Sequence, residues 1–367
     1  MLEKTESSAE KFIRRTLVKL AGYKPIVPME ALGEKVGMGV AEIIKLDGNE
    51  NPYGCSPRVR RALSEYPYLH VYPDPTQSSV RKALAVYVGV GEEYIVAGSG
   101  SDELIDLVLR LFIDPGDGVV NCEPTFGMYD FGTMLCDGAI VGVPRDESFA
   151  IDVEAVKAAI TPRTKLIFVA SPNNPTGNLT SREDILELLD TGLMVLVDEA
   201  YYEFSGQTVA PLVPQYGNLI VLRTFSKWAG LAGLRAGYGI FPAKIADLIM
   251  KIKTPYNVNI AAQLAIQESL ADLEYLLGTV KTILAERERL REKLEEIGWI
   301  KPLPSEGNFL LCSVASGRAR EVDEALQRKG IFGRYFAKPL LRNCLRISVG
   351  KPEHTDALIR ALREIGG

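Results

Sequence analysis

The chain has 367 residues, of which 47% are hydrophobic and 24% charged, and its formal net charge is −5. This length allows one large core and a second smaller one, because single cores stop growing near about 250–300 residues. The basic residues are interleaved with apolar or acidic ones, so we expect no nucleic-acid partner, which a clustered basic face would indicate.

Cysteine and histidine usage narrows the class of protein further. The five cysteines are scattered and form no CxxC pair, which argues against disulfides or a zinc site and favours a reducing cytoplasm. The sequence has only two histidines, His70 and His354, which argues against a Ser-His-Asp triad and against a histidine-rich metal site. We therefore expect no metal ion. The sequence contains no run of about 18 uncharged apolar residues and begins without an apolar signal core, so no membrane partner is expected.

The predicted elements divide the chain into three parts. Residues 1–45 are amphipathic, with glycine and proline interruptions, and we interpret them as an arm that packs on a partner or on the second domain. Residues 46–255 form a predicted large domain, in which short β-branched runs alternate with helices from about residue 91 to 240. Residues 256–367 form a predicted smaller α+β domain, which begins with a helical region from about 260 to 297.

The apolar runs of the large domain predict its sheet. They are Val119–Val120, Ile140–Val143, Leu166–Ala170, Met194–Val197 and Leu219–Leu222. Fully apolar strands between helices are typical of a mostly parallel sheet covered on both faces. The fold class is therefore α/β, and ligands of such sheets bind at the carboxyl ends of the strands.

A glycine-rich segment, Gly98–Glu103, follows a strand-like run and begins a helix with one apolar face. Glycines let the backbone approach a ligand, and the free N–H groups of a helix N-terminus favour a phosphate. A dinucleotide site would have a third glycine where Glu103 stands. Ser101 or Asp102 would serve equally well as a simple helix cap.

Three further segments follow the ends of predicted strands. Residues 171–177 (SPNNPTG) form a rigid loop that holds amide side chains, or else a plain turn. Asp198 ends an apolar strand, where a carboxylate is costly unless it has a partner or a task. Lys227, within the run TFSKW, is by itself compatible with an ordinary loop lysine. Together with Gly98–Glu103, these segments meet at one edge of the predicted sheet.

This combination resembles the fold-type I pyridoxal-phosphate aminotransferases, and SPNNPTG, DEAY and TFSK…GLR are similar to the histidinol-phosphate aminotransferase branch. The resemblance covers nearly the whole chain. It includes residues 49–54 (NENPYG), 123–129 (EPTFGMY), 255–259 (PYNVN), 306–309 (EGNF) and 345–348 (LRIS). It implies the large and small domains of that fold, and pyridoxal 5′-phosphate as the cofactor.

The resemblance also assigns the catalytic groups. Lys227 would carry the cofactor as a Schiff base and, once displaced, shuttle a proton. Asp198 would keep the pyridine nitrogen protonated, so that the ring acts as an electron sink. Asn174 and Tyr201 would donate hydrogen bonds to the ring oxygen O3′.

The remaining implied cofactor contacts surround the phosphate and the ring. They are the backbone N–H groups of Ser101 and Asp102, the side chains of Thr224, Ser226 and Arg235, the stacking ring of Phe126, and Tyr53 from the neighbouring subunit. The last of these implies a homodimer with shared active sites. Two departures from the family pattern are Trp228 after the lysine, where smaller residues are common, and Phe126, where many relatives have tyrosine.

For the substrate, Arg346 matches the arginine with which many relatives bind a carboxylate. In the histidinol-phosphate branch it would hold the substrate phosphate together with Arg334 and Tyr23, and Asn174 would also contact the substrate. Arg334 is as readily interpreted as a surface ion pair. The implied reaction moves an amino group between L-histidinol phosphate and 2-oxoglutarate, with glutamate as the other product.

Competing hypotheses remain open at this point. Threonine-phosphate decarboxylases and aromatic aminotransferases use the same lysine and aspartate and resemble the chain nearly as well. A non-enzymatic module on the same scaffold is a third hypothesis, because fold alone does not determine function. Such a module could lose Lys227 or Asp198, whereas both are present in this sequence. A nicotinamide dehydrogenase is the weakest alternative, since the third glycine is missing.

Overall fold

The computed structural model describes residues 10–18 and 20–366. The strands are β1 (Ile44–Lys45), β2 (Ile95–Ser99), β3 (Gly118–Glu123), β4 (Ala139–Pro144), β5 (Thr164–Ala170), β6 (Met194–Asp198), β7 (Leu219–Thr224), β8 (Ala236–Ile240), β9 (Ile300–Pro302), β10 (Phe309–Val314), β11 (Ile331–Phe332), β12 (Arg334–Tyr335) and β13 (Cys344–Ser348).

Helices alternate with most of these strands. They are α1 (Arg15–Val18), α2 (Met29–Val36), α3 (Pro57–Glu65), α4 (Ser78–Val88), α5 (Gly100–Phe112), α6 (Met128–Leu135), α7 (Val153–Ala159), α8 (Arg182–Leu189), α9 (Tyr202–Ser205), α10 (Ala243–Ile252), α11 (Ile260–Ala271), α12 (Leu273–Glu295), α13 (Ala319–Arg328) and α14 (Pro352–Gly366). None of the described helices is long and apolar enough to cross a membrane.

In the described part of the chain, a seven-stranded sheet has the order β2-β8-β7-β6-β5-β3-β4. Its pairs are parallel except for those of β8, which runs antiparallel to both of its neighbours. The predicted α/β fold with a mostly parallel sheet is therefore confirmed. All residues of β7 are buried, as in a strand covered on both faces.

Alternate residues of the central strands face two separate apolar layers. Ile167 and Val195 belong to one layer, whereas Leu166 and Leu196 belong to the other. Helix α5 covers the second layer with its apolar side, including Leu104. This packing fixes α5 against the sheet, so that its N-terminus lies at the carboxyl end of β2.

A second, antiparallel sheet with the order β12-β13-β10-β9 packs with α13 and α14. Part of the N-terminal arm joins this unit, because β1 pairs in parallel with β11 and Leu32 packs against Phe332. Helix α11 packs instead on α3 and α4 of the first unit, beyond the expected boundary after residue 255. The domain boundaries at 45/46 and 255/256 stay predictions, and residues 1–9 lie outside the described chain.

Candidate active site

A cavity of about 350 Å³ lies at the carboxyl ends of the parallel strands. Ten side chains predicted from the sequence line it: Ser101, Asp102, Phe126, Asn174, Asp198, Tyr201, Thr224, Ser226, Lys227 and Arg235. They come from the ends of β2, β3, β5, β6 and β7 and from the turn before β8. The sheet topology thus gathers segments that are far apart in the sequence.

Two glycines, Gly100 and Gly237, lie in close contact with their neighbours at the start of α5. Gly100 has φ +78°, and a Cβ there would lie 2.5 Å from the Arg235 guanidinium. A Cβ on Gly237 would lie 2.5 Å from the backbone nitrogen of Ser101. Since the first N–H groups of a helix have no intrahelical acceptor, this crowded turn presents free donors to an anion.

Side chains add to these donors. Arg235 donates to the Asp102 carboxylate at 2.7 Å, which holds its guanidinium beside the helix N-terminus. The Thr224 hydroxyl lies 2.9 Å from that of Ser226 at the end of β7. A cationic group, two hydroxyls and a helix N-terminus together fit a phosphate.

Asp198 is buried at the end of β6, and two donors hold its carboxylate. Tyr129 Oη donates to Oδ2 at 2.7 Å, and the Ala200 backbone N–H donates to Oδ1 at 3.0 Å. Burial raises the pKa of Asp198 to about 6, while the tyrosine hydrogen bond opposes that rise. At neutral pH the group is therefore an anion that gains from a cationic N–H partner.

Tyr129 was not among the predicted site residues, although it lines the cavity. It is 1% exposed and stacks on Phe168 with ring centroids 4.4 Å apart. Its position three residues after Phe126, on the first turn of α6, was the available signal in the sequence. Burial raises the pKa of its hydroxyl well above the usual value, so it remains a donor.

Lys227 extends into the cavity, where its Nζ donates to the Gly48 carbonyl oxygen at 2.9 Å. Burial lowers the pKa of the amine to about 8, and the nearby Arg346 charge acts in the same direction. The neutral, nucleophilic amine is therefore accessible close to physiological pH.

Tyr201 and Asn174 line the same cavity, and the side chain of each accepts a hydrogen bond from another residue of the chain. Asn49 Nδ2 donates to Tyr201 Oη at 2.8 Å, and Arg346 Nη1 donates to Asn174 Oδ1 at 2.5 Å. Neither Asn49 nor the Gly48 carbonyl was predicted as part of the site. Asn49 is the first residue of the NENPYG run, and Gly48 immediately precedes it.

Two arginines lie side by side next to this cavity. Arg334 and Arg346 are partners across β12 and β13, and both guanidinium groups lie within 6 Å of the Phe336 ring centre, at 5.9 and 5.7 Å. Arg346 is 6% exposed and also donates to the Asp47 carbonyl, while its Nε has no hydrogen-bond partner among the described residues.

Within residues 10–18 and 20–366, neither arginine forms a salt bridge. Arg334 donates only to the Lys24 carbonyl, at 3.0 Å, so the surface ion pair considered for it does not form there. Burial lowers the pKa of Arg346, and the Arg334 charge lowers it further. Burial raises the pKa of the Tyr23 phenol, and the charges of Arg334 and Arg346 oppose that rise. Two unneutralised cations with a phenol nearby form a site for an anion.

Two predicted residues do not line the cavity. Tyr23 lies at its edge, packing edge-on against Phe126 with ring centroids 6.4 Å apart. Tyr53 lies elsewhere on the surface, beside Asp272 and the first turns of α12. The cavity of one chain therefore does not use its own Tyr53.

Glu199, which follows Asp198, points away from the cavity and has a structural contact. Its carboxylate accepts from Arg223 at 2.9 Å, and both side chains are 2% exposed. The Thr208 hydroxyl and the Val209 backbone N–H also donate to it. Hydrogen bonds from every side are what make a buried ion pair tolerable.

The chemistry of these groups fits pyridoxal phosphate. A phosphate would meet the start of α5 with Ser226 and Arg235, a protonated ring nitrogen would meet Asp198, and an aldehyde would meet the amine of Lys227. The start of α5 offers a site for an anion, Asp198 is itself an anion, and Lys227 is a nucleophile.

Comparison with known proteins identifies the class. Residues 41–362 match the family model described as aminotransferase class I and II. The chain belongs to this family of pyridoxal-phosphate-dependent transaminases, which confirms the expected family.

Particular relatives are similar over almost the whole chain. A histidinol-phosphate aminotransferase of Dehalococcoides mccartyi is 54% identical, with 97% of this chain and 98% of the relative covered. A chloroplastic histidinol-phosphate aminotransferase of Nicotiana tabacum is 44% identical, with 98% and 88% covered. The crystal structure of histidinol-phosphate aminotransferase from Sinorhizobium meliloti in complex with pyridoxal-5′-phosphate is 28% identical, with 98% of each chain covered and a TM-score of 0.89.

Proposed function

We propose that this chain transfers an amino group between L-histidinol phosphate and 2-oxoglutarate, with pyridoxal 5′-phosphate as cofactor. The observation that carries the choice of substrate is the pair Arg334 and Arg346, two cations next to the lysine cavity that form no salt bridge with any described residue. Two planar guanidinium groups match the two charges of a phosphate dianion, whereas one such group is enough for a carboxylate. Tyr23, at the cavity edge, completes the proposed phosphate site.

The cofactor supplies an electron sink that stabilises negative charge at the substrate Cα. Lys227 is assigned the covalent attachment of the cofactor and, as a free amine with a lowered pKa, the proton transfer at Cα. Asp198, held by Tyr129, is assigned the ring nitrogen. Tyr201 and Asn174 are assigned hydrogen bonds to the ring oxygen, and Asn174 also reaches toward the substrate through its contact with Arg346.

The remaining cofactor contacts follow from the walls of the cavity. Ser101 and Asp102 would bind the phosphate through their backbone N–H groups, Thr224, Ser226 and Arg235 would bind it through side chains, and Phe126 would stack on the ring. Because Tyr53 lies outside the cavity of its own chain, we assign it to the phosphate of a neighbouring subunit in a homodimer with shared sites. Five free thiols are consistent with a reducing cytoplasm as the place of action.

A substrate panel tests the reaction. L-Histidinol phosphate, L-threonine phosphate and aromatic amino acids are each incubated with the enzyme and 2-oxoglutarate, while glutamate and carbon dioxide are measured. We expect the fastest glutamate release with L-histidinol phosphate and no carbon dioxide. Carbon dioxide from L-threonine phosphate, or faster transfer from an aromatic amino acid, would contradict the proposal.

Lys227→Ala tests the attachment of the cofactor. We expect loss of the visible absorbance of the lysine-linked cofactor and a fall in turnover of at least about 10³-fold, since nucleophilic and acid–base roles are both removed. Transamination at a rate near that of the wild type would show that the assignment of Lys227 is wrong.

Arg334→Gln tests the phosphate site. Loss of one charge-assisted contact of about 1.5–3 kcal/mol raises KM for L-histidinol phosphate by about 10–100-fold. The matched control is Arg320→Gln, because Arg320 is an exposed arginine on α13 whose salt bridge in the described part of the chain is with Glu324. An equal effect of both variants would refute the role of Arg334.

A further inference from the structure

Asn49 holds the hydroxyl of Tyr201 in an arrangement that leaves none of its own polar groups unused. Its Nδ2 donates to Tyr201 Oη at 2.8 Å, and its carbonyl accepts from Asn308 Nδ2 at 2.9 Å. The residue is 1% exposed and has φ +51°, a left-handed conformation in which asparagine is enriched. The side chain is therefore fixed at a position that few other residues would tolerate.

The hydrogen bonds around Asn49 have a direction, because a backbone N–H can only donate. The N–H of Asn49 donates to Ser348 Oγ at 2.8 Å, and that hydroxyl donates its own proton to Asn49 Oδ1, also at 2.8 Å. The amide oxygen is thus occupied by Ser348, and the NH2 group faces Tyr201.

An oxygen that accepts from Asn49 must direct its own proton elsewhere. Tyr201 lines the cavity, and within the described chain its hydroxyl makes no other hydrogen bond. The accepted bond also lowers the pKa of the phenol, against the stronger raising effect of its burial. Both consequences favour donation from Tyr201 into the cavity.

We propose that Asn49 is a positioning residue that turns Tyr201 into a one-way hydrogen-bond donor toward the ring oxygen of the bound cofactor. The inference rests on the proposed function, because that function supplies the acceptor. Ser348 fixes the orientation of the amide, and Asn49 transmits it to the phenol. Ser348 lies on β13, two residues from Arg346, and Asn49 lies in the segment after β1. Their hydrogen bonds to each other and to Tyr201 therefore join both units of the fold.

The variant Asn49→Asp tests this direction with little change in shape. Aspartate accepts left-handed φ values, and its carboxylate accepts the proton of Tyr201, which then no longer reaches the cofactor. Loss of one hydrogen bond to the ring oxygen raises the pH midpoint of the visible absorbance of the loaded enzyme by about one unit. This spectroscopic midpoint is measured without substrate.

A double-mutant cycle with Tyr201→Phe separates this effect from the added charge. If Asn49 acts through the phenol, the shift caused by Asn49→Asp falls to less than about a third in the Tyr201→Phe background. A charge effect alone would produce the same shift in both backgrounds and would overturn the inference. A merely structural role would lower Tm in both backgrounds and leave the midpoint unchanged, which would overturn it as well.

Failure of the proposed function is distinguishable from failure of this inference. A wild-type chain that does not acquire a visible cofactor absorbance contradicts the proposed cofactor and makes Lys227 the wrong attachment site. A wild-type chain with that absorbance and an Asn49→Asp variant with an unshifted midpoint contradicts the role of Asn49 alone. Ser348→Ala, which frees the amide oxygen, gives a smaller shift in the same direction when the inference holds.

Discussion

Removal of the Tyr129 hydroxyl should lower the charged fraction of Asp198 at neutral pH. In Tyr129→Phe the ring can keep its stacking on Phe168, while the 2.7 Å hydrogen bond to the Asp198 carboxylate is lost. That bond stabilises the charged form of Asp198, so its loss raises a pKa that burial already holds at about 6.

The size of the effect follows from the strength of the bond. A hydrogen bond to a charged group is worth about 1.5–3 kcal/mol, which equals about 1–2 pKa units. The pKa of Asp198 then reaches about 7–8, and its charged fraction at pH 7 falls from about nine tenths to between about one half and one tenth. The sign is that of an acid with a raised pKa, whose anion is lost as the pH falls through that value.

The assay is capture of pyridoxal phosphate by the cofactor-free protein as a function of pH. We expect the acidic midpoint of binding to move upward by about 1–2 units in Tyr129→Phe. The matched control is Tyr87→Phe, in which a hydroxyl bonded to another carboxylate, Glu203, is removed outside the cavity. Equal midpoints in the wild type and Tyr129→Phe, or an equal shift in the control, would refute the reasoning.

Further predictions concern packing and stability. Gly237→Ala places a Cβ 2.5 Å from the Ser101 nitrogen and should weaken cofactor binding by about 5–150-fold in equilibrium dialysis, which corresponds to about 1–3 kcal/mol. Gly278→Ala, whose Cβ meets no atom of the described residues within 4 Å, should leave binding unchanged. Burial raises the pKa of Glu203 from 4.5 to about 8, so its contribution to stability falls as the pH rises between those values. The Tm of Glu203→Gln should therefore exceed that of the wild type more at pH 9 than at pH 5, and a constant difference would contradict this.

The central sheet was predictable because its strands are buried on both faces. The runs Leu166–Ala170, Met194–Val197 and Leu219–Leu222 lie within β5, β6 and β7, since each consists almost entirely of apolar residues between helices. Strand β8 carried a weaker signal, because its two glycines, Gly237 and Gly239, interrupt the apolar pattern.

The site was predictable where a residue ends a strand and not where it acts across the fold. Asp198 and Lys227 could be placed because parallel strands end at a common edge. Tyr129 reaches Asp198 from 69 residues away, and Asn49 reaches Ser348 across 299 residues. No local pattern encodes such contacts, so only the folded structure shows which side chains support the catalytic ones.

The parallel pairing of β1 with β11 has a consequence for synthesis of the chain. Residues 44–45 can pair with residues 331–332 only after the latter have been synthesised. The segment that carries Asn49 therefore docks only when nearly the whole chain has left the ribosome. The seven-stranded sheet, complete by residue 240, can form earlier. The nascent protein would therefore possess its lysine and aspartate well before it can orient Tyr201 or bind an anion at Arg346, so the substrate side of the cavity is completed last.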